Sequence, residues 1–498
     1  MRIPLTLFLF FAMITCSCLS SHAQNEVRKD TNNNESLYRP IIHFSPKKGW
    51  MNDPNGMFFQ NGVYHLYYQF YPNATVWGPM HWGHATSKDL IHWEHKPIAI
   101  YPDSLGLIFS GSAVVDKYNT SGLGTLKNPP IISIFTQHSM EGEKAGKNNF
   151  QNQSIAYSND GGNTWKMYPG NPVIKNPGIN DFRDPKVIWH EPTKHWIMAL
   201  AVKNKVSLYS SENLKDWNFE SDFGELLGNH EGVWECPDLF SLPYNGKTYW
   251  VLSVSVNPGG PNKGSATQYF VGDFDGHKFS TSSSKTKWVD YGADNYAGVT
   301  WYNTGNRKIA IGWMSNWLYA QQVPTDKWRS AMTIARELNL QEVGEEMYLT
   351  SMPVKELKFY KSNYLSEGPI TQNLPYEINI QGSNINSFTL TLNNEEGESL
   401  DFGFDQSTNQ YFIDRSFAGV HSFHKDFAAL HSAPRISTKS NFSFKVLIDK
   451  TSIEIFSDNG LTVMTDIFFP TSPYNNIAIQ SQSEEIRKNI KISSLLAK

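Results

Sequence analysis

Cysteine is scarce in this chain of 498 residues, which contains only Cys16, Cys18 and Cys236. The first two lie in an N-terminal segment that we expect to be removed, and this excludes an internal disulfide in the mature chain. Charge of one sign is also lacking, because 43 Lys and Arg residues stand against 47 Asp and Glu, a formal net charge of −4. Nucleic-acid binding needs clustered cations that neutralise phosphates, so we expect no nucleic-acid partner. No segment reaches 18 consecutive apolar residues, so we expect no membrane span.

The N-terminal segment 1–23 has the features of a secretory signal peptide. Arg2 supplies a positive charge, residues 5–14 form a short apolar core, and Ser21-His22-Ala23 is a small-x-small cleavage site. Lipid attachment through Cys16 or Cys18 is the less favoured alternative, because neither follows the usual Leu-x-Gly/Ala context. The polar, Asn-rich segment 24–37 predicts a disordered lead-in. We therefore expect an exported chain.

Short apolar runs broken by turn residues predict an all-β protein. Aromatic residues make up 14 % of the chain, with 15 Trp and 23 Tyr, and they favour strands. Runs such as 63–70, 194–201 and 248–253 are bounded by Gly, Asn, Asp or Pro. Long amphipathic helical patterns are nearly absent.

A weak repeat predicts propeller blades in the first part of the chain. A strand, a polar turn and an aromatic residue recur at Trp93, Trp165, Trp217 and Phe279, which are 72, 52 and 62 residues apart. This spacing leaves room for about four strands per unit, the size of a β-propeller blade.

The pattern changes near residues 351–353, where period-two alternation becomes regular. Segments 387–392, 442–448 and 452–457 alternate apolar and polar residues, which is typical of an antiparallel sandwich. We therefore predict a β-propeller over 38–350, a connector over 351–370 and a β-sandwich over 371–498.

Three carboxylates, Asp53, Asp184 and Glu235, lie in unusual sequence contexts. Their spacings of 131 and 51 residues place each in a different blade, and innermost strands converge on a propeller axis. Each residue also has an ordinary interpretation. Asp53 opens a common Asp-Pro-Asn-Gly turn, Asp184 could pair with Arg183, and Glu235 could be a solvated turn residue.

Together, such carboxylates suit retaining glycoside hydrolysis. A carboxyl group in apolar surroundings suits a general acid, and a carboxylate near a cation or several donors suits a nucleophile or an electrostatic stabiliser. In retaining enzymes the acid and the nucleophile lie about 5–5.5 Å apart. Nearby Trp, Asn and Gln side chains could stack on a sugar and bond to it.

Seven segments of the chain, in order, resemble glycoside hydrolase family 32, the group of invertases, levanases and exo-inulinases. Asn295 stands where an aromatic residue is usual in that family. The matching segments are Trp50–Gly56, Phe109–Ala113, Phe182–Pro185, Trp234–Pro237, Asp290–Ala297, Gly312–Trp317 and Trp328–Leu338.

The resemblance implies a five-bladed β-propeller followed by a C-terminal β-sandwich, with no metal and no organic cofactor. It implies that Asp53 is the nucleophile, Glu235 the acid/base, and Asp184 the residue that stabilises the transition state. Cys236 would tune Glu235 and would not act as a nucleophile. The implied substrate-binding residues are Trp50, Asn52, Gln69, Trp77, Phe109, Ser110, Arg183 and Trp313.

The favoured function is that of an exported β-fructosidase, which releases terminal fructose from levan or inulin, and from sucrose, with retention of configuration. Segment 316–330 most resembles levanases and exo-inulinases. Four alternatives stay open at this stage: an endo-acting fructanase, a fructosyl transferase, a non-catalytic carbohydrate-binding propeller, and a related enzyme that acts on arabinose or xylose.

Overall fold

The computed structural model describes residues 37–365, 368–369 and 375–495, and almost all of its elements are strands. The predicted signal peptide, Cys16, Cys18 and nearly all of the predicted lead-in lie outside the described residues, as do parts of the predicted connector. Within the described ranges, no helix is both long enough and apolar enough to span a bilayer.

Five sheets follow one another between residues 49 and 353. Each is built from consecutive strands, with antiparallel pairing between neighbours. The first contains β1 Gly49–Gln60, β2 Val63–Tyr71, β3 His81–Ser87 and β4 Glu94–Ile100. The second contains β5 Leu107–Val115, β6 Ile131–His138, β7 Gln151–Ser158 and β8 Lys166–Met167. The third contains β9 Phe182–His190, β10 His195–Val202, β11 Lys205–Ser211 and β12 Asn218–Phe223.

The fourth and fifth sheets carry additional short strands. The fourth contains β13 Val233–Tyr244, β14 Lys247–Asn257, β15 Ala266–Phe274, β16 Phe279–Ser280 and β17 Lys287–Trp288. The fifth contains β18 Tyr296–Thr300, β19 Ile309–Met314, β21 Ala331–Met332, β22 Arg336–Val343 and β23 Glu346–Pro353. Strand β20, Trp328–Arg329, leaves this order and pairs in parallel with β1.

The first strands of the five sheets form a closed ring. Strand β1 contacts β5, β5 contacts β9, β9 contacts β13, β13 contacts β18, and β18 contacts β1. The backbone closes the ring, because Gly49 N donates to Lys327 O and Phe59 N donates to Tyr302 O, both at 2.9 Å. The predicted five-bladed β-propeller is thereby confirmed.

The sequence repeat marks the entry to the fourth strand of a blade. Trp93, Trp165 and Trp217 directly precede β4, β8 and β12, and Phe279 begins β16. In the first three blades the serine of the polar turn accepts a backbone N–H of that turn. The bonds are Leu90 N to Ser87 Oγ at 2.8 Å, Gly162 N to Ser158 Oγ at 2.9 Å, and Leu214 N to Ser211 Oγ at 2.8 Å. This local side-chain turn explains why the pattern recurs.

Two six-stranded sheets form the C-terminal β-sandwich. One, in spatial order, contains β24 Lys361–Leu365, β35 Lys491–Leu495, β26 Tyr376–Gly382, β31 Phe442–Asp449, β32 Ser452–Ser457 and β33 Thr462–Ile467. The other contains β25 Gly368–Pro369, β34 Asn476–Ser481, β27 Phe388–Asn393, β28 Ser399–Asp405, β29 Gln410–Phe417 and β30 Leu430–Pro434. Apolar side chains between the sheets, such as Ile378, Phe402 and Val446, are fully buried.

Short helical segments complete the described structure. The α-helices are α1 Met140–Lys144 and α2 Glu484–Asn489, and the 3₁₀ segments are Lys355–Tyr360 and Asp458–Gly460. Ser139 and Ser483 cap the two α-helices, because each hydroxyl accepts a backbone N–H three residues further along the chain.

Strand β32 differs from its sequence pattern, because both of its faces are buried. Its alternation placed Glu454 on a polar face, but Glu454 is completely buried against the propeller. There it accepts hydrogen bonds from the guanidinium of Arg336 and from His43. The polar face of β32 is therefore an interface between the two domains, since ion pairing compensates its burial.

Candidate active site

Every innermost strand of the propeller contains a β-bulge. At each bulge the inner strand has one residue more than its partner. The bulges lie at Asn52–Asp53 in β1, Phe109–Ser110 in β5, Asp184–Pro185 in β9, Cys236–Pro237 in β13 and Ala297–Gly298 in β18. A bulge re-aims a side chain out of the alternating pattern of its strand. The bulges thus turn side chains from separate blades toward one another.

Two of the candidate residues adopt backbone conformations that non-glycine residues rarely use. Asp184 has φ 64° and Cys236 has φ 46°. Such conformations cost roughly 1–3 kcal/mol each and are maintained only by surrounding structure. Here Asp184 N donates to Thr136 Oγ1 at 3.0 Å, and Cys236 N donates to Asp184 Oδ2 at 3.0 Å. The bulge of β9 is therefore fixed by Thr136, and its Asp184 in turn fixes the bulge of β13.

Asp53 and Asp184 meet on either side of the Cys236 thiol. Cys236 Sγ lies 3.5 Å from Asp53 Oδ2 and 3.6 Å from Asp184 Oδ2. Ser110 Oγ donates a second hydrogen bond, of 2.7 Å, to Asp53 Oδ2. The other oxygen of Asp53, Oδ1, is buried and has no hydrogen-bond partner within the described part of the chain. The hydrogen bonds from Ser110 and Cys236 thus converge on one oxygen of Asp53.

Glu235 is held through both of its carboxylate oxygens. Arg183 Nη2 donates to Glu235 Oε1 at 2.9 Å, and the hydroxyl of Tyr296 donates to Glu235 Oε2. The same guanidinium donates to Asp181, and its Nε lies 3.9 Å from Asp184 Oδ2. The side chain of Glu235 is 21 % exposed, against 6 % for Asp184. Glu235 is therefore the more accessible of these two carboxylates.

The crowding of buried negative groups changes their protonation. Burial raises the pKa of Asp53, and the charge of Glu235 adds to this, while the hydrogen bond from Ser110 opposes it. Burial likewise raises the pKa of Asp184 to about 7 against the opposing charge of Arg183. Burial and the neighbouring carboxylates hold the pKa of Cys236 well above its usual range. The thiol of Cys236 is therefore protonated and neutral. A neutral thiol is a weak hydrogen-bond donor, and here it donates to carboxylates.

Aromatic side chains surround the carboxylates. The ring of Trp50 lies 5.9 Å from that of Trp313 and 5.8 Å from that of Trp317. Trp50 and Trp313 are completely buried, whereas Trp77 and Phe109 are partly exposed and meet edge to face at 6.1 Å. The wall has an inner layer of buried indoles and an accessible rim.

The sequence pattern of the glycosyl hydrolases family 32 N-terminal domain matches residues 43–353, and that of the family 32 C-terminal domain matches residues 353–495. The chain belongs to glycosyl hydrolase family 32. Its carboxylate cluster is the candidate active site of this glycoside hydrolase.

Relatives of this family 32 chain include a levanase from Bacillus subtilis (strain 168). It is 44 % identical over 483 residues, covering 92 % of this chain and 70 % of the levanase. Among solved structures, exo-inulinase from Aspergillus awamori is 35 % identical with a TM-score of 0.85, covering 93 % of this chain and 99 % of that one. A β-fructofuranosidase from Schwanniomyces occidentalis complexed with fructosyl-erythritol is 36 % identical with a TM-score of 0.83, covering 93 % and 98 %.

The structure of this family 32 chain brings most of the predicted site residues together. Asn52, the neighbour of Asp53 in the chain, and Gln69 are both buried. Asn52 Oδ1 accepts from Trp50 Nε1 at 2.8 Å, and Gln69 Nε2 donates to Asn55 Oδ1 at 2.7 Å. These two amides hold their neighbours in place.

Sequence reasoning missed two residues at the site of this family 32 chain. Tyr296 bonds to Glu235, and Trp317 stacks on Trp50. Both lie inside segments that match the family, but their types alone do not distinguish them from core aromatics. Asn295 donates to Asp290 Oδ2 at 3.1 Å and is buried.

The family 32 candidate site is built for carboxylate chemistry. Among the described residues, no group of three or more His, Cys, Asp or Glu side chains is arranged to hold a metal ion. The first blade also contains a pair of buried histidines, His65 and His84, with 3.2 Å between Nδ1 of His65 and Nε2 of His84. Burial lowers their pKa values to about 4 and about 3, so both rings are neutral.

Proposed function

We propose that the chain is an exported β-fructosidase that releases terminal fructose from levan or inulin, and from sucrose, with retention of configuration. The observation that carries the proposal is the unequal anchoring of two carboxylates at one site. Asp53 has one unbonded oxygen, Oδ1, whereas Glu235 is bonded through both oxygens. A retaining glycosidase needs a carboxylate with a free oxygen for attack and a second carboxyl that transfers protons.

In this proposal each carboxylate has a role in the first step. Asp53 Oδ1 attacks the anomeric carbon of fructose while the bond to the leaving oxygen breaks. Glu235 enters this step in its protonated form and delivers that proton to the leaving oxygen, where the electron pair of the broken bond remains. Ser110 and Cys236 bind Asp53 Oδ2, so Oδ1 is the oxygen that remains available.

The second step returns both carboxylates to their starting states. Glu235, now ionised, takes a proton from water, and the water oxygen attacks the anomeric carbon. The bond to Asp53 Oδ1 breaks and fructose leaves with its original configuration. Asp184 accepts hydrogen bonds from fructose hydroxyls and thereby stabilises the positively charged transition state. Arg183 keeps Asp184 and Glu235 in position.

The partly exposed side chains of the predicted pocket form the sugar-binding rim in this proposal. Trp77 and Phe109 lie at this accessible rim, where an apolar ring can pack on the sugar. Trp50 and Trp313 are completely buried and support the carboxylates from behind. The proposal includes no metal and no organic cofactor.

The names of relatives support terminal cleavage and export. One is called a levanase, and another, from Aspergillus awamori, is called an extracellular exo-inulinase and is 36 % identical over 515 residues. Fructans and sucrose share a terminal fructosyl unit, which explains why one pocket would accept all three. The predicted signal peptide would direct export.

Product analysis with sucrose, inulin and levan tests the proposed function. We expect fructose to be the only product released from the preferred polymer, and Asp53→Asn to abolish its release without loss of fold. A ladder of oligosaccharides would indicate an endo-acting enzyme, and longer products from sucrose would indicate fructosyl transfer. Binding of fructan without any release by the unaltered chain would contradict the proposal and favour a binding propeller.

A further inference from the structure

The residue that bonds to Glu235 is preceded by a segment that is fastened to the β-sandwich. Residues 290–295 run along strand β33 and lead directly into Tyr296. Tyr291 N donates to Val463 O at 2.8 Å, and Asp294 N donates to Thr465 O at 2.9 Å. These bonds extend the edge strand of the sandwich by a piece of the propeller.

Side chains strengthen the same connection. Asp294 Oδ2 accepts from Ile467 N at 3.0 Å and from Arg415 Nη1 at 2.6 Å, and Ala293 N donates to Asp466 Oδ1 at 2.8 Å. Asp294, Arg415 and Asp466 have completely buried side chains. Because removing one partner of a buried ion pair leaves an uncompensated buried charge, the segment is strongly held.

A second route joins the sandwich to this segment through Asp290. Thr465 Oγ1 donates to Asp290 Oδ2 at 2.6 Å, and Arg336 Nη1 donates to the same oxygen at 2.8 Å. Asn295, the neighbour of Tyr296, also donates to Asp290 Oδ2. Asn295 is thus linked to the sandwich through Asp290.

We propose that strand β33 of the sandwich is a positioning element for the acid/base: it holds segment 290–295, and with it the Tyr296 hydroxyl, against Glu235. The inference rests on the proposed role of Glu235 as proton donor. Ala297, which follows Tyr296, has φ 53° and lies in the bulge of β18. The backbone on both sides of Tyr296 is therefore constrained, and a shift of the segment moves its hydroxyl.

Gly292 offers a substitution that separates the segment from β33. A methyl group at Gly292 would lie 2.1 Å from Thr465 N and 2.2 Å from Thr465 O, so the two backbones must move apart. Gly403→Ala is the matched control. Its methyl group would meet Phe388 O at 2.0 Å, between β27 and β28 of the other sandwich sheet and away from β33.

The test compares kcat/KM for two donors, sucrose and β-fructosyl fluoride, in the full chain. Fluoride leaves with little need of a proton, so its release depends weakly on Glu235. We expect Gly292→Ala to lower kcat/KM for sucrose on the order of 100-fold and to affect the fluoride much less. Gly403→Ala should lower the Tm and change both values by the same factor. An equal loss on both donors in Gly292→Ala would overturn the inference.

A double-mutant cycle with Tyr296→Phe supplies the second readout. If the sandwich acts through Tyr296, Gly292→Ala adds little to the loss already caused by Tyr296→Phe, whereas independent effects multiply and would contradict the inference. Thr465→Val, which keeps the side-chain shape but removes the hydroxyl, replaces Gly292→Ala if that variant does not fold. Undiminished release from both donors by Asp53→Asn would instead overturn the proposed function itself.

Discussion

The thiol of Cys236 lies 3.5 Å from Asp53 Oδ2, although the two residues are 183 positions apart in the chain. The same sulfur lies 3.6 Å from Asp184 Oδ2, so one neutral donor serves two carboxylates from different blades. This arrangement gives the cysteine of the Trp-Glu-Cys-Pro segment a physical function. The thiol hydrogen is shared between two neighbouring carboxylates, which would otherwise repel each other.

The position of Cys236 predicts that replacing it weakens catalysis without abolishing it. We expect Cys236→Ser to retain activity within about 10-fold of the unaltered chain, because a hydroxyl also donates hydrogen bonds. Cys236→Ala removes the donor and should lose more of kcat. A loss in both variants as deep as that of Asp53→Asn would mean that the sulfur itself reacts. Steady-state kinetics on sucrose measures these differences.

Glu235→Gln should affect substrates according to their leaving groups. We expect kcat/KM for sucrose to fall by about 10²–10⁴-fold, because the amide cannot deliver a proton to the leaving oxygen. The loss for β-fructosyl fluoride should be much smaller. Glu231→Gln, an exposed position just before the same strand, is the control and should behave as the unaltered chain does. Equal losses on both donors would remove Glu235 from the acid role.

The burial of Asp184 should favour activity at the expense of stability, to an extent that depends on pH. Its pKa is raised from 3.8 to about 7 by burial, so its ionised form is less favourable in the folded chain than in the unfolded chain. The contribution of this carboxyl to stability is therefore full below about pH 4 and is lost as pH rises through 7.

We expect Asp184→Asn to raise the Tm by roughly 1–3 °C at pH 8 and to leave it unchanged at pH 4, while turnover falls at both values. The Asn side-chain oxygen can still accept the hydrogen bond of Cys236 N. Calorimetry across this pH range measures the effect, with the exposed residue Asp216 changed to Asn as control. A lower Tm at pH 8 would contradict the assigned direction of the pKa shift.

At the domain interface, in contrast to Asp184, the charged form of the buried His43 should stabilise the folded chain. Burial lowers its pKa, but hydrogen bonds of 2.8 Å to Asp449 and 2.7 Å to Glu454 outweigh burial and raise it to about 9. The stabilisation is present below about pH 6.5 and is lost as pH rises through 9. His43→Gln should therefore lower the free energy of unfolding by about 3–5 kcal/mol at pH 6 and by much less at pH 10. Denaturant unfolding at the two pH values measures this, and an equal loss at both would show that His43 is not charged in the folded chain.

The blades could be predicted because their signals are local. A serine hydroxyl that accepts a backbone N–H within its own turn leaves the same residue pattern before β4, β8 and β12. The bulges could not be predicted, because a bulge depends on how many residues the partner strand offers. The sequence did contain an indication of them in the Pro residues after Asp53, Asp184 and Cys236, because Pro within sheets is confined to edges and bulges.

Packing between blades and between the two domains determines which aromatic and polar side chains are buried. Trp50 and Trp313 were expected to line the sugar pocket, and their complete burial follows from packing against Trp317 of the last blade. Glu454 was on the polar side of an alternating strand, and only the docking of the propeller converts that side into an interface.

The amino-acid sequence by itself determined that this is an all-β chain whose carboxylates Asp53, Asp184 and Glu235 stand in different blades, because turn chemistry and strand alternation act over a few residues. Ring closure decided which atoms meet. Three features depend on residues that are far apart in the chain. They are the unbonded oxygen of Asp53, the thiol that Cys236 shares between two carboxylates, and the hydrogen bonds of β33 to the segment before Tyr296. Such contacts depend on the burial of polar groups by distant strands, and no local pattern encodes them.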